Sequence, residues 1–133
     1  SFLNNAKIDE NVKITFSHIE DSHIKENCTI GPYSRIRNNS EIGRNVSIGN
    51  FAEIKSSLIG DYSNIRHYSY IGDALIGNNV NIANAFIGNN AIIQNGTVIG
   101  QDGFGYALNT NQYNKIPQIN ESISVINKDI VIF

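Results

Sequence analysis

Arg35, Arg37, Glu53, Lys55, His67 and Tyr70 span 36 residues of the sequence. Together they hold what a phosphate-binding, proton-moving site needs: cations, a carboxylate, an imidazole and a phenol. An imidazole titrates near neutrality and is suited to general-base work. Paired cations suit a phosphate-bearing ligand, because two like charges stacked on an outward surface repel unless a carboxylate or a bound anion lies between them. The same side chains would also serve as an ordinary solvated face, with His67 as surface decoration. Which account applies depends on whether the backbone brings them together.

The elements that would do so are written in the isoleucines. They recur at 8, 14, 19, 24, 30, 36, 42, 48, 54, 59, 65, 71, 76, 82, 87, 93 and 99, always five or six residues apart. Glycine often follows, and a small residue such as Cys28, Ser34, Ser40, Val46, Ala52, Ser63 or Val80 often stands four places on. Internal repetition outranks any local propensity in setting a fold. A hexad with one large and one small apolar position predicts short extended segments separated by tight turns. Three segments close one coil of about 18 residues, and coils stack at about 4.8 Å. The fold class expected is all-β, a single-stranded parallel β-helix in one domain over 1–133, with coils over 8–104, a projecting loop over 101–121 and last strands over 122–133. The asparagines at 38, 39, 78, 79, 89 and 90 fall at turns, where a left-handed backbone suits them.

Stacking makes the register readable. Residues 36, 54, 71 and 87 should share one side, and 48, 65, 82 and 99 the side before it. Neighbours of an inward isoleucine point outward. That sets Arg37 over Lys55, places Arg35, Glu53 and Tyr70 in the adjoining column, and puts Asn50, His67 and Asn84 at the corner leading in.

Other chemistries are poorly served. A formal net charge of −2 with dispersed cations offers no footprint for nucleic acid or an anionic membrane. No apolar run approaches the roughly 20 residues of a membrane span, and the start lacks a basic, then apolar leader, so a cytoplasmic location is expected. The single cysteine, Cys28, has no partner for a disulfide or a zinc pair. It fills a small inward slot. His18 and His23 are five apart, hence on different sides of the prism, and read as surface residues; no metal is expected.

The hexads resemble the left-handed β-helix of the hexapeptide-repeat acyltransferases, whose members are usually trimers; handedness and a homotrimer are implied by that resemblance. A sharper likeness runs over residues 24–82. There "SRIRNN", "GNFAEIK" and "RHYSYIGDALIGNNVNI" resemble the acetyltransferase domain of the bifunctional bacterial enzyme that makes UDP-N-acetylglucosamine, whose pattern runs RLRPG, GNFVE-K and GHLTYLGDAEIG-NVNIGAG. The resemblance implies acetyl transfer from acetyl-CoA, or another acyl donor, to the amine of an aminosugar phosphate such as glucosamine 1-phosphate. It assigns His67 as catalytic base, Arg37, Lys55, Tyr70 and Asn81 as substrate ligands with Glu53 near the sugar, and Asn84 beside the acyl donor. The sequence departs from the pattern at Asn38 and Asn39, which replace proline and glycine, and at "NIANA", which replaces "NIGAG".

Farther on, "VIGQDGFGYALNTNQYNKIPQ", residues 98–118, resembles the loop of the UDP-3-O-acylglucosamine N-acyltransferases of lipid A synthesis. Three functions therefore stand open: an aminosugar-phosphate N-acetyltransferase, an N-acyltransferase of the lipid A type, and an inactive β-helix acting as a structural or sugar-nucleotide-binding trimer.

Overall fold

A backbone that turns every few residues cannot satisfy its hydrogen bonds within one segment, so each coil pairs with the coils on either side. The computed structural model of the chain describes residues 1–100, 106–109, 112–115, 124–126 and 131–132. Within them the strands form three faces, numbered here in chain order. The first contains β3 (His18–Ile24), β5 (Arg35–Arg37), β8 (Glu53–Lys55), β11 (Tyr70–Gly72), β14 (Ala85–Ile87) and β19 (Ser124–Ile126). The second starts from the far half of β3 and runs through β6 (Glu41–Ile42), β9 (Leu58–Ile59), β12 (Leu75–Ile76), β15 (Ile92–Ile93) and β20 (Val131–Ile132).

The third stacks β2 (Lys13–Ile14), β4 (Thr29–Ile30), β7 (Ser47–Ile48), β10 (Asn64–Ile65), β13 (Asn81–Ile82) and β16 (Val98–Ile99). β1 (Phe2–Ile8) lies parallel to β3 across both of its faces. All pairings between coils are parallel, and the six strands of the third face make about six turns of a parallel β-helix. The fold class read from the hexads is the one found.

The predicted register holds. Ile36, Ile54, Ile71 and Ile87 lie opposite one another in turn, as do Ile48, Ile65, Ile82 and Ile99. Twelve isoleucines, from Ile19 to Ile93, are essentially inaccessible to water. The small inward positions fill the corners, and at Ser57 and Ser63 the hydroxyl does two jobs. Ser57 Oγ donates to Lys55 O at 2.8 Å and accepts from the Ala74 N–H at 3.1 Å. Ser63 Oγ likewise donates to Gly77 O and accepts from the Val80 N–H. A buried hydroxyl without partners is costly, and these two corners provide them; Ser69 Oγ, between His67 and Tyr70, is buried with none among the described residues. Cys28 occupies its inward slot, 1% exposed, with Sγ donating to Gly43 O at 2.9 Å. Burial pushes its thiol pKa up.

Corners need a left-handed residue. One carries Asn11, Asn27, Asn45, Tyr62 and Asn79 at φ of 55–63°, a conformation asparagine tolerates better than most residues. Of the six asparagines expected to adopt it, Asn38, Asn39, Asn79, Asn89 and Asn90 do. Asn78 does not; its side-chain oxygen accepts the Asp61 N–H at 2.8 Å, and Asn95 does the same for Asn78. There the amide side chain, rather than the backbone angle, ties the corner.

Of the loop expected over 101–121, the described parts are β17 (Tyr106–Asn109) and β18 (Gln112–Lys115), an antiparallel pair. The rest of that loop, including the glycines of "DGFGY", lies outside the described residues. Of the last strands expected over 122–133, β19 pairs with β14 and β20 with β15, both parallel.

Two outcomes follow. Ile65→Ala removes a fully buried side chain from a shaft that cannot collapse around the gap, and should cost about 2–5 kcal/mol in a denaturant titration; a cost below about 1 kcal/mol would contradict the packing described. On the second face, Lys25 Nζ lies 2.7 Å from Glu41 Oε1. That hydrogen-bonded pair lowers the Glu41 pKa below 4.5 and raises that of Lys25 above 10.5. The Glu41 contribution to stability is present above its unfolded pKa and lost as pH falls through the folded value. That of Lys25 is lost as pH rises through its own. Both groups are largely solvated, so Glu41→Gln should cost no more than about 1 kcal/mol at pH 7 and should flatten the stability profile at both extremes, as followed by melting temperature against pH.

Candidate active site

The first face assembles the outward residues in the order the stacking required. Arg35 lies opposite Glu53, Glu53 opposite Tyr70, and Arg37 opposite Lys55. His67 sits at the corner between the third and first faces, between Ile65, which ends β10, and Tyr70, which begins β11. Asn84 follows at the same corner one coil on, where its N–H donates to His67 O at 3.4 Å. Asn81 lies across the corner, on the third face, opposite Asn64 and Val98. The fold thus gathers Arg35, Arg37, Glu53, Lys55 and Tyr70 on one surface, sets His67 and Asn84 on its border and leaves Asn81 beyond that border.

Of the two ways to relieve stacked cations, a carboxylate or a bound anion, the structure shows the carboxylate. Arg37 Nη2 donates to Glu53 Oε2 at 2.9 Å, and Lys55 Nζ donates to Asp73 Oδ2 at 3.2 Å. Arg35 Nη2 reaches Glu20 Oε1 at 3.2 Å. Each cation has its own carboxylate, so the repulsion is relieved by protein groups, and a bound anion is not required for that purpose. One donor remains unused: Arg37 Nε is buried and has no hydrogen-bond acceptor among the described residues. A buried, unpaired guanidinium N–H of this kind is costly.

His67 is exposed, its ring edge-on to Tyr68 at a centroid distance of 5.2 Å. Among the described residues no side chain hydrogen-bonds its imidazole. Tyr70 is half-buried, its ring stacked on Phe86 at 4.5 Å.

His18 and His23 fall on the first and second faces, on either half of β3. His23 Nε2 lies 3.0 Å from Asp9 Oδ2, and the His18 ring packs on Phe2. Among the described residues no cluster of three metal-ligating side chains occurs, and no helix is long and apolar enough to cross a membrane.

Sequence reasoning passed over Asp73, Phe86, Arg66 and Tyr68. Phe86 was hidden by register: it lies opposite Tyr70 at a separation of 16 residues, one short of the coil below, because the corner at Asn84 has lost a residue. Asp73 stands at the exit of β11, one place past Gly72, which lies opposite Lys55.

A match to the family described as GMPPB C-terminal domain covers residues 18–104, most of the hexad-bearing region. Among curated proteins, the chain is 45% identical over 82 residues to the Bifunctional protein GlmU of Gloeothece citriformis, 48% over 82 to that of Clostridioides difficile and 50% over 82 to that of Caldicellulosiruptor saccharolyticus. In each case 62% of this chain is covered and 18% of the relative, so the chain spans about a fifth of the length of these relatives. This is the likeness read from "SRIRNN", "GNFAEIK" and "RHYSYIGDALIG".

Among solved structures, PerB from Caulobacter crescentus, crystallised with CoA and GDP-perosamine, is 16% identical with a TM-score of 0.42, covering 74% of this chain and 49% of that one. A UDP-N-acetylglucosamine acyltransferase is 17% identical with a TM-score of 0.41, covering 76% and 65%.

The Arg37–Glu53 pair has side chains 23% and 32% exposed, so solvent screens it. Glu53→Gln should therefore cost no more than about 1 kcal/mol of stability in chemical denaturation. A loss above about 3 kcal/mol would mean that the pair behaves as a buried one.

Proposed function

The chain belongs to the GMPPB C-terminal domain family, and from that premise we propose that it forms the aminosugar-binding part of an N-acyltransferase. The reaction is acetyl transfer from acetyl-CoA to the amine of an aminosugar phosphate such as glucosamine 1-phosphate. The observation that carries this reading is the gathering of Arg37, Glu53, Lys55 and Tyr70 beside His67, within the segment that is 45–50% identical to proteins named GlmU.

The chemistry is nucleophilic addition of a neutral amine to a thioester carbonyl. As the C–N bond forms, the nitrogen gains positive charge and must lose a proton; as the C–S bond breaks, the departing thiolate must gain one. His67 serves both steps, accepting the amine proton and passing it to the sulfur. Its exposure at the corner leaves the imidazole open to an entering amine.

Arg37 and Lys55 hold the phosphate through charge-assisted hydrogen bonds. Glu53 binds Arg37 Nη2 and so fixes the plane of the guanidinium. Tyr70, braced by Phe86, borders the sugar, with Asn81 reaching it from across the corner. On the donor side Ala83 and Ala85 are small and buried, and Asn84, between them in sequence, would bind the acyl thioester. The winding is left-handed and the assembly a homotrimer; exposed Leu58, Leu75 and Ile92, in one column of the second face, offer it an apolar contact.

A second reading is favoured by the bare His67 imidazole and by the carboxylates that already neutralise Arg35, Arg37 and Lys55: a β-helix that binds a sugar nucleotide and catalyses nothing.

Release of free CoA from acetyl-CoA and glucosamine 1-phosphate separates the two. The enzyme reading expects turnover that falls about 10²–10⁴-fold in His67→Ala, and a KM for the sugar phosphate raised about tenfold in Arg37→Ala and in Lys55→Ala. No turnover by the unmodified protein, or turnover indifferent to His67, would leave the binding reading in its place.

A further inference from the structure

We propose that Arg66 and Tyr68, on either side of His67, extend the site: Arg66 joins Arg37 and Lys55 as a third cation for the ligand's phosphate, and Tyr68 offers a stacking surface for its ring. The inference rests on the reading of His67 as the centre of the site and adds two residues to it.

Arg66 differs from the other cations of the patch. Arg35, Arg37 and Lys55 each hold a carboxylate. Arg66 is exposed and has no carboxylate in ion-pair distance among the described residues. Its column explains its isolation. Because Ile30, Ile48, Ile65, Ile82 and Ile99 lie in register, the residues after them align as Gly31, Gly49, Arg66, Ala83 and Gly100. The bareness is enforced at the three glycines: a Cβ on Gly31 would collide with Thr15 O, one on Gly100 with Ala83 O, and one on Gly49 would come to 3.0 Å from the His67 backbone nitrogen. A single guanidinium thus stands over a strip of backbone with nothing larger than a methyl group above or below it. An unpaired arginine fork with open space on both sides matches the geometry of a phosphate.

Tyr68 ends a column of another kind. Phe16, Tyr33, Phe51 and Tyr68 climb the same corner with ring centroids 6.0, 5.6 and 5.6 Å apart and planes within 16° of parallel. All four are more than half exposed, and all four hold a left-handed backbone at φ of 39–60°, which bulky side chains rarely adopt. The neighbouring corner fills its left-handed positions mainly with asparagine. Aromatic residues under backbone strain and facing water call for a role beyond turning the chain.

The ladder stops at the coil of His67. The next residue in the column is Asn84, also left-handed, and no fifth ring follows. A ligand ring entering there continues the stack on Tyr68, while its phosphate meets Arg66 two residues away. The chemistry is that of a phosphate ester carried on a ring; a pyranose phosphate and a nucleotide both supply it.

Calorimetric titration of the full chain with glucosamine 1-phosphate, uridine 5′-diphosphate and inorganic phosphate, alongside the CoA-release assay, tests the assignment. Arg66→Ala should weaken both ring-bearing ligands at least tenfold and reduce the salt dependence of binding, with partial recovery in Arg66→Lys. Tyr68→Leu should weaken the ring-bearing ligands but not inorganic phosphate, and Tyr68→Phe should bind normally. A larger loss for uridine 5′-diphosphate than for the sugar phosphate identifies the ring as a base; the reverse identifies a pyranose. Lys13→Ala, on the third face away from the corner, is the charge control and should change nothing.

Affinities within twofold of the unmodified protein in both Arg66→Ala and Tyr68→Leu, with turnover still lost in His67→Ala, overturn this inference and leave the acyl-transfer reading standing. Binding lost in Arg66→Ala in a protein that releases no CoA supports the inference and removes that reading. No binding of any probe, or losses that track a change in oligomeric mass, overturns the inference.

Discussion

Coil-to-coil backbone pairing is the constraint on which everything else in this molecule depends. Most strands are only two or three residues long and could not persist alone; each exists because its N–H and C=O groups meet those of the coils above and below. That pairing fixes the vertical spacing, and with it the inward stack from Ile19 to Ile93. A one-residue slip would turn an isoleucine to water and an arginine inward. Serines at the corners carry the same logic into the turns, where a hydroxyl stands in for a missing backbone partner.

Because the register is so strict, outward residues form columns as surely as inward ones do. The functional surface is therefore a lattice, in which the neighbour of a side chain is set by the coil rather than by the sequence around it. Arg37 meets Lys55, and Glu53 meets both Arg35 and Tyr70, without any loop having to close. Where a corner loses a residue, as before Asn84, the lattice shifts by one place. That shift brings Phe86 against Tyr70.

Charge behaves accordingly. A column spacing of about 4.8 Å brings side chains within reach of the next coil in either direction, so each cation has several possible partners. Arg37 takes Glu53 from the coil above, Lys55 takes Asp73 from the one after, and Arg35 takes Glu20 from the one before. These exchanges neutralise the face locally and leave a buried Arg37 Nε and an unpaired Arg66 as the groups with donors to spare.

The hexad, the inward set, the parallel stacking and the sharing of one face by Arg35, Arg37, Glu53, Lys55 and Tyr70 beside the His67 corner are all legible in the order of the residues. All of these follow from a period, and a period needs no distances. It placed five of six asparagines in the left-handed conformation for the same reason, since turns recur with the coils. Only the tertiary structure decided the rest: which carboxylate each cation holds, that Asn78 ties its corner with its side chain, that Asn81 lies across the border, and that four rings stack beside His67. Those outcomes depend on rotamers and on single-residue shifts at corners, where a few tenths of a kcal/mol in side-chain entropy or screened charge selects among partners that the repeat leaves equally near.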